Sequence, residues 1–104
     1  MTNEGVSGAV LSALADLEHA FGAAITAINA EPDHNRAYSG ATELVETLRK
    51  LFEASAEQRA LSAARIFEQE EMSLAGLAGR IGVSKARAAQ LIKTAKDAND
   101  QRET

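Results

Sequence analysis

Apolar positions recur along this chain at helical spacing almost from end to end. Between Ser7 and Asn29, Val10, Leu14, Leu17, Phe21, Ala24 and Ile28 follow one another in steps of three and four, and Leu11 and Ile25 widen the stripe. Such a stripe predicts a long helix with one face that has to be covered. Asp16 and Glu18 stand beside it. Two covers fit the pattern: the protein's own C-terminal helices, or a second copy meeting it along Val10, Leu14, Leu17, Phe21, Ile25 and Ile28 in a dimer seam. A wide stripe has room for both.

The stretch AEPDHNRAYSG, residues 30–40, breaks the pattern. Pro32 lacks an N–H and restricts the residue before it, while Asp33, Asn35, Ser39 and Gly40 are turn formers. A surface loop and hinge of about ten residues is expected there. Leu44, Val45, Leu48, Leu51 and Phe52 then mark a second helix over 41–53. Ser55 with Gln58 has the form of a capping box opening a third helix to about Glu70, with Leu61, Ala64, Ile66 and Phe67 inward. The cluster Glu68, Glu70 and Glu71 at its end opposes the helix dipole. It has three readings: a solvated turn, a partner for Arg80, or a group that repels DNA outside the intended docking angle.

The last stretch, SLAGLAGRIGVSKARAAQLIKTAK, residues 73–96, reads as two short helices and a tight turn. Ser73 caps the first, whose Leu74, Leu77, Ala78 and Ile81 share a face. Gly82 supplies the left-handed residue of the turn, Val83 plugs it, and Ser84 caps the second helix. Ala88, Leu91, Ile92 and Ala95 form the inner face of that second helix. Small Ala78, glycine four residues on, an apolar residue next, then Ala88 and Leu91 is helix-turn-helix spacing.

The run LAGLAGRIGVSKARAAQLI, Leu74 to Ile92, resembles the bacterial helix-turn-helix superfamily. It is most like the promoter-reading C-terminal domain of sigma factors and related small regulators. Gly82-Val83-Ser84-Lys85 followed by Gln90-Leu91 carries the likeness, which covers roughly a fifth of the chain. The resemblance implies duplex DNA as ligand, met by Ser84, Lys85, Ala86, Ala89 and Gln90. Arg87, Lys93 and Arg80 would hold phosphates. The chain departs from its relatives at positions 86, 88 and 89, all alanine where larger residues are common. Ala86 and Ala89 leave the outward face little with which to read bases.

Charge sharpens this picture. Residues 74–96 hold Arg80, Lys85, Arg87, Lys93 and Lys96 and no acid, whereas residues 1–71 hold five basic and twelve acidic side chains. A basic patch in an otherwise acidic chain suits phosphate neutralisation. A solvated helix face carries such side chains too.

Composition adds the class. The chain has 104 residues, four aromatic residues among them, no cysteine and no Trp. It is rich in alanine and leucine and poor in strand-forming runs, so the expected fold is all-α with about five helices. The expected organisation is a dimerising helix and hinge over 1–38, a helical domain over 39–97 with the helix-turn-helix at 73–96, and a disordered tail over 98–104. Without cysteine there is no disulfide or thiolate chemistry. His19 and His34 are too few for a metal site, and His34 reads as an exposed loop residue. No glycine-rich phosphate loop or catalytic set is visible, so neither an enzyme nor a cofactor is expected. No basic leader and no apolar run of spanning length is apparent, which points to the cytoplasm without membrane contact. The function expected is a transcriptional regulator acting on double-stranded DNA as a homodimer. Its competitors are a protein-interaction module, such as an adaptor or transcription-factor antagonist, and a weakly specific nucleoid or plasmid-maintenance binder.

Overall fold

A computed structural model describes residues 5–103, and among these there are four helices: α1 (Gly8–Ala30), α2 (His34–Gln69), α3 (Leu74–Ile81) and α4 (Lys85–Glu103). The all-α class holds, with four helices in place of about five. The chain divides into two compact units, residues 1–48 and 49–104. That division lies inside α2, later than the expected boundary at 38/39.

In the first unit α1 is capped by Ser7, whose Oγ accepts from the Val10 N–H at 3.2 Å. The expected ten-residue loop shrinks to residues 31–33. Pro32 does end α1, but Asp33 at once caps α2, its Oδ1 accepting from the N–H groups of Asn35 (2.9 Å) and Arg36 (3.3 Å). His34 is therefore the first residue of a helix, and Ser39 and Gly40 lie inside it. The two helices form a hairpin along Ala24 and Ile28 on one side and Ala37, Gly40, Ala41 and Leu44 on the other, all half-buried. Gly40 has a packing role: a Cβ there would sit 3.4 Å from Ile28 Cγ1.

The expected break between a second and a third helix is absent. Ser55 does not cap anything; its hydroxyl donates to the Leu51 carbonyl at 2.7 Å, one turn back in an unbroken helix. The capping-box reading fails because serine satisfied by the i−4 carbonyl continues a helix as readily as it starts one.

The second unit holds the core. Ala60, Leu61, Ala63 and Ala64 of α2 pack on Leu91 and Ala95 of α4, while Leu77, Ala78 and Ala88 form a second cluster walled by Ile66, Phe67, Met72, Ile81, Val83 and Ile92. Glu57 meets Arg102 at 2.7 Å, so the last part of α2 and α4 run antiparallel. Seven of the ten buried core residues are alanine, and those of α2 and α4 let the two helices approach closely. Leu77 is fully buried. Among the described residues none of the buried ones is polar.

The tail expected to be disordered from residue 98 is instead the last part of α4, with Ala98 buried. It extends the stripe of Ala88, Leu91 and Ala95. Residues 1–4 and Thr104, part of the expected frayed ends, lie outside the described residues.

α1 also corrects an expectation. At 23 residues it is long and apolar enough, by length and composition, to cross a bilayer. Asp16 and Glu18 fall near its middle, where an acid costs about 2.5–3.5 kcal/mol on insertion.

Candidate nucleic-acid interface

The turn between α3 and α4 is built by three caps. Ser73 Oγ accepts from the Gly76 N–H at 3.0 Å and starts α3. Gly82 ends it in the left-handed region (φ 75, ψ 37), and the Gly82 and Val83 N–H groups both close on the Ala78 carbonyl, at 2.9 and 3.0 Å. Ser84 Oγ accepts from the Arg87 N–H at 3.0 Å and starts α4. Three residues, Gly82, Val83 and Ser84, thus join the two helices. With Ala78 and Ala88 buried at the contact, the small side chains there allow the helices to meet.

Burying Ala88, Leu91, Ala95 and Ala98 fixes which residues of α4 face water. Lys85, Ala86, Gln90 and Lys93 are exposed and Ala89 is half-buried. From Lys85 to Lys96 the helix carries no acid; Asp97 is the first, and it takes Lys93 Nζ at 3.0 Å. The first turn of α4 holds Lys85 and Arg87 and no acid, the arrangement least suited to the positive end of a helix dipole unless an anion binds there.

Besides Lys93, two further predicted cations are engaged. Arg80 forms a bidentate pair with Glu70, one arm at 2.8 Å. The hydrogen bond from Arg80 holds the Glu70 carboxyl below its ordinary value, and the reciprocal bond raises the guanidinium. Of the three readings of the acidic cluster, the partner for Arg80 is the one Glu70 adopts. Arg87 Nη1 donates to Gln90 Oε1 at 2.9 Å. Arg87 is half-buried and, with Arg59, lines a groove of about 360 Å³ together with Ala63, Ile66, Ile81, Val83 and Leu91.

The exposed face of α4 thus brings together Ser84, Lys85, Ala86, Ala89, Gln90 and Lys93. Arg80 is turned toward Glu70 and Arg87 toward Gln90. The sequence offered Arg80 as a partner for the acidic cluster, and the structure selects Glu70, ten residues away, as the member that pairs. Sequence spacing missed the Arg87–Gln90 bond, although i, i+3 neighbours on a helix are the expected partners.

The predicted seam residues Val10, Leu14, Leu17, Phe21 and Ile25 are exposed in the first unit, and Ile28 is half-buried against α2. Among the described residues no group of three or more His, Cys, Asp or Glu is placed to hold a metal. Comparisons with protein-family models, with curated proteins and with solved structures return no match.

Proposed function

We propose that this protein is a DNA-binding transcriptional regulator with a helix-turn-helix at α3–α4, acting as a homodimer in the bacterial cytoplasm without a cofactor. The observation that carries the reading is the first half of α4. It is capped by Ser84, packed inward by Ala88 and Leu91, and outward offers Lys85, Ala86, Ala89, Gln90 and Lys93 with no acid before Asp97.

In this reading the N-terminal turns of α4 enter the major groove, and Asp97 and Asp100 keep the rest of the helix away from phosphates. Gln90 is the base reader. A side-chain amide presents an acceptor and a donor that match adenine N6 and N7. Its carbonyl oxygen has two lone pairs, so Arg87 on one leaves the other for the base and fixes the amide's orientation beforehand. Lys85 meets guanine acceptors or a phosphate, and Ala86 and Ala89 touch thymine methyl groups. Lys93 holds phosphate on exchanging Asp97. Arg80 joins them only after release from Glu70.

One reader per module gives weak selectivity. Two modules spaced about one turn of DNA apart restore it, which is why the homodimer belongs to the reading. The protein-interaction alternative draws on a different observation, the uncovered apolar face of the first unit.

The test is fluorescence anisotropy of a labelled duplex over rising salt. Binding should weaken with a log–log slope of about −0.9 per phosphate neutralised. Absence of binding at low salt would reject the proposal in favour of a protein partner.

A further inference from the structure

We infer that the α1–α2 hairpin is half of a four-helix bundle, completed by the same hairpin of a second copy. The inference deepens the homodimer proposed above and rests on it, but adds the first part of α2 to the seam and commits the whole face to one occupant.

The first observation is the absence of a core. No residue of α1 is buried, although Val10, Leu11, Leu14, Leu17, Phe21 and Ile25 are large and apolar. On α2, Tyr38 (75% exposed) and Val45 (63%) are more open still. A two-helix layer cannot enclose a core, whereas two such layers face to face do.

The second observation is the side on which these residues lie. The hairpin contact line runs through Ala24 and Ile28 on α1 and Ala37 and Leu44 on α2. At 100° per residue, Leu14, Phe21 and Ile25 are offset from that line in the same rotational sense as Tyr38 and Val45. Because the helices run in opposite directions, offsets of like sense bring both sets to one side of the hairpin. The result is a single apolar face rather than two scattered stripes.

The third is extent. Val10, Leu11, Leu14, Leu17, Phe21, Ile25, Tyr38 and Val45 of the first unit are each more than a third exposed, and large apolar side chains gathered on one surface mark an interaction site.

Self-complementarity selects the occupant. A two-fold interface sets a patch against itself, so a charged patch repels its copy while an uncharged one accepts it. Leu14, Phe21, Ile25, Tyr38 and Val45 carry no charge, and Glu18, the acid of α1 on this side, stands toward the outer edge beside Leu11. A bilayer is a poorer occupant, since α1 has acids at its middle and its hairpin partner carries Arg36, Glu43 and Glu46.

Sedimentation equilibrium of the full chain, without DNA, tests this. The wild type should have twice the 11.0 kDa monomer mass at about 10 μM. Val45→Glu should weaken the dimer at least about a hundredfold, with helicity by circular dichroism retained, since two carboxylates enter each seam. If Val45→Glu loses helicity, Tyr38→Glu, at the most exposed of these positions, should give the same loss of dimer. A wild type that is monomeric at about 100 μM overturns the inference, as does a monomer captured by anionic-lipid vesicles. A dimer indifferent to both substitutions does so too, by placing the seam elsewhere. The monomeric variants should keep weak, salt-sensitive duplex binding, so a failed dimer and a failed DNA reading are told apart.

Discussion

Gly79 and Gly82 lie three residues apart at the same turn, and alanine should act on them with opposite sign. Gly82 is the left-handed C-cap of α3, at φ 75, and a Cβ there would meet nothing within 4 Å. The cost of Gly82→Ala is therefore conformational alone: about 1–2 kcal/mol for an L residue in that region. It is partly offset by about 0.4–1 kcal/mol from a stiffer unfolded chain. The net loss is about 1 kcal/mol. Gly79 is in mid-helix, also with nothing within 4 Å of an added Cβ, so Gly79→Ala should gain about 0.5–1 kcal/mol from helix propensity. The variants should differ by about 1.5–2 kcal/mol, or several degrees in Tm for a unit of this size. Urea titration followed by circular dichroism, at one fixed protein concentration because association shifts the midpoint, reads both. A gain in both variants would refute the left-handed turn, and with it the presentation of α4.

Other substitutions separate the roles of the neighbouring side chains. Leu77→Ala, at the fully buried centre of the second unit, should cost about 2–5 kcal/mol in the same titration. Gln90→Ala should relax preference at one base pair while leaving the salt slope unchanged. Arg87→Ala should lower that slope by about one and lose part of the same preference, because Gln90 is no longer oriented. Glu70→Gln should free Arg80 and steepen the slope by about one contact. Glu70 has a depressed folded pKa, so its stabilisation is present above the ordinary value of 4.5 and is lost as pH falls through the folded value. Acidification should therefore destabilise the wild type more than Glu70→Gln, a comparison made by thermal melts across that range.

The α3–turn–α4 segment was legible because each of its signals is local. Ser73, Gly82 and Ser84 act on backbone groups within four residues, and Leu77, Ala88 and Leu91 follow helical spacing. α2 runs through residues that usually form turns, because packing on α1 and local hydrogen bonds keep them helical. Gly40 lies under Ile28, and the hydroxyls of Thr42 and Ser55 return to the carbonyls of Tyr38 and Leu51. The end of α2 at Gln69 falls one residue from the expected Glu70, although its left-handed residue is Glu71, at φ 49, and not a glycine. In the tail, Ala98 extends a visible stripe, but the pairing of Arg102 with Glu57 across 45 residues is fixed only by the fold. For the candidate interface, exposure followed from spacing. The engagement of Arg80 and Arg87 depended on what the neighbouring turns bring near.

We propose that the first half of α4 reads duplex DNA from a dimer. The most direct test is selection of genomic fragments by the purified full chain near physiological salt, with sequencing of what is retained. An enriched, roughly palindromic motif with half-sites about one helical turn apart is expected, relaxed at one base pair of each half-site by Gln90→Ala. Retention without any motif, or none at all, would contradict the proposal.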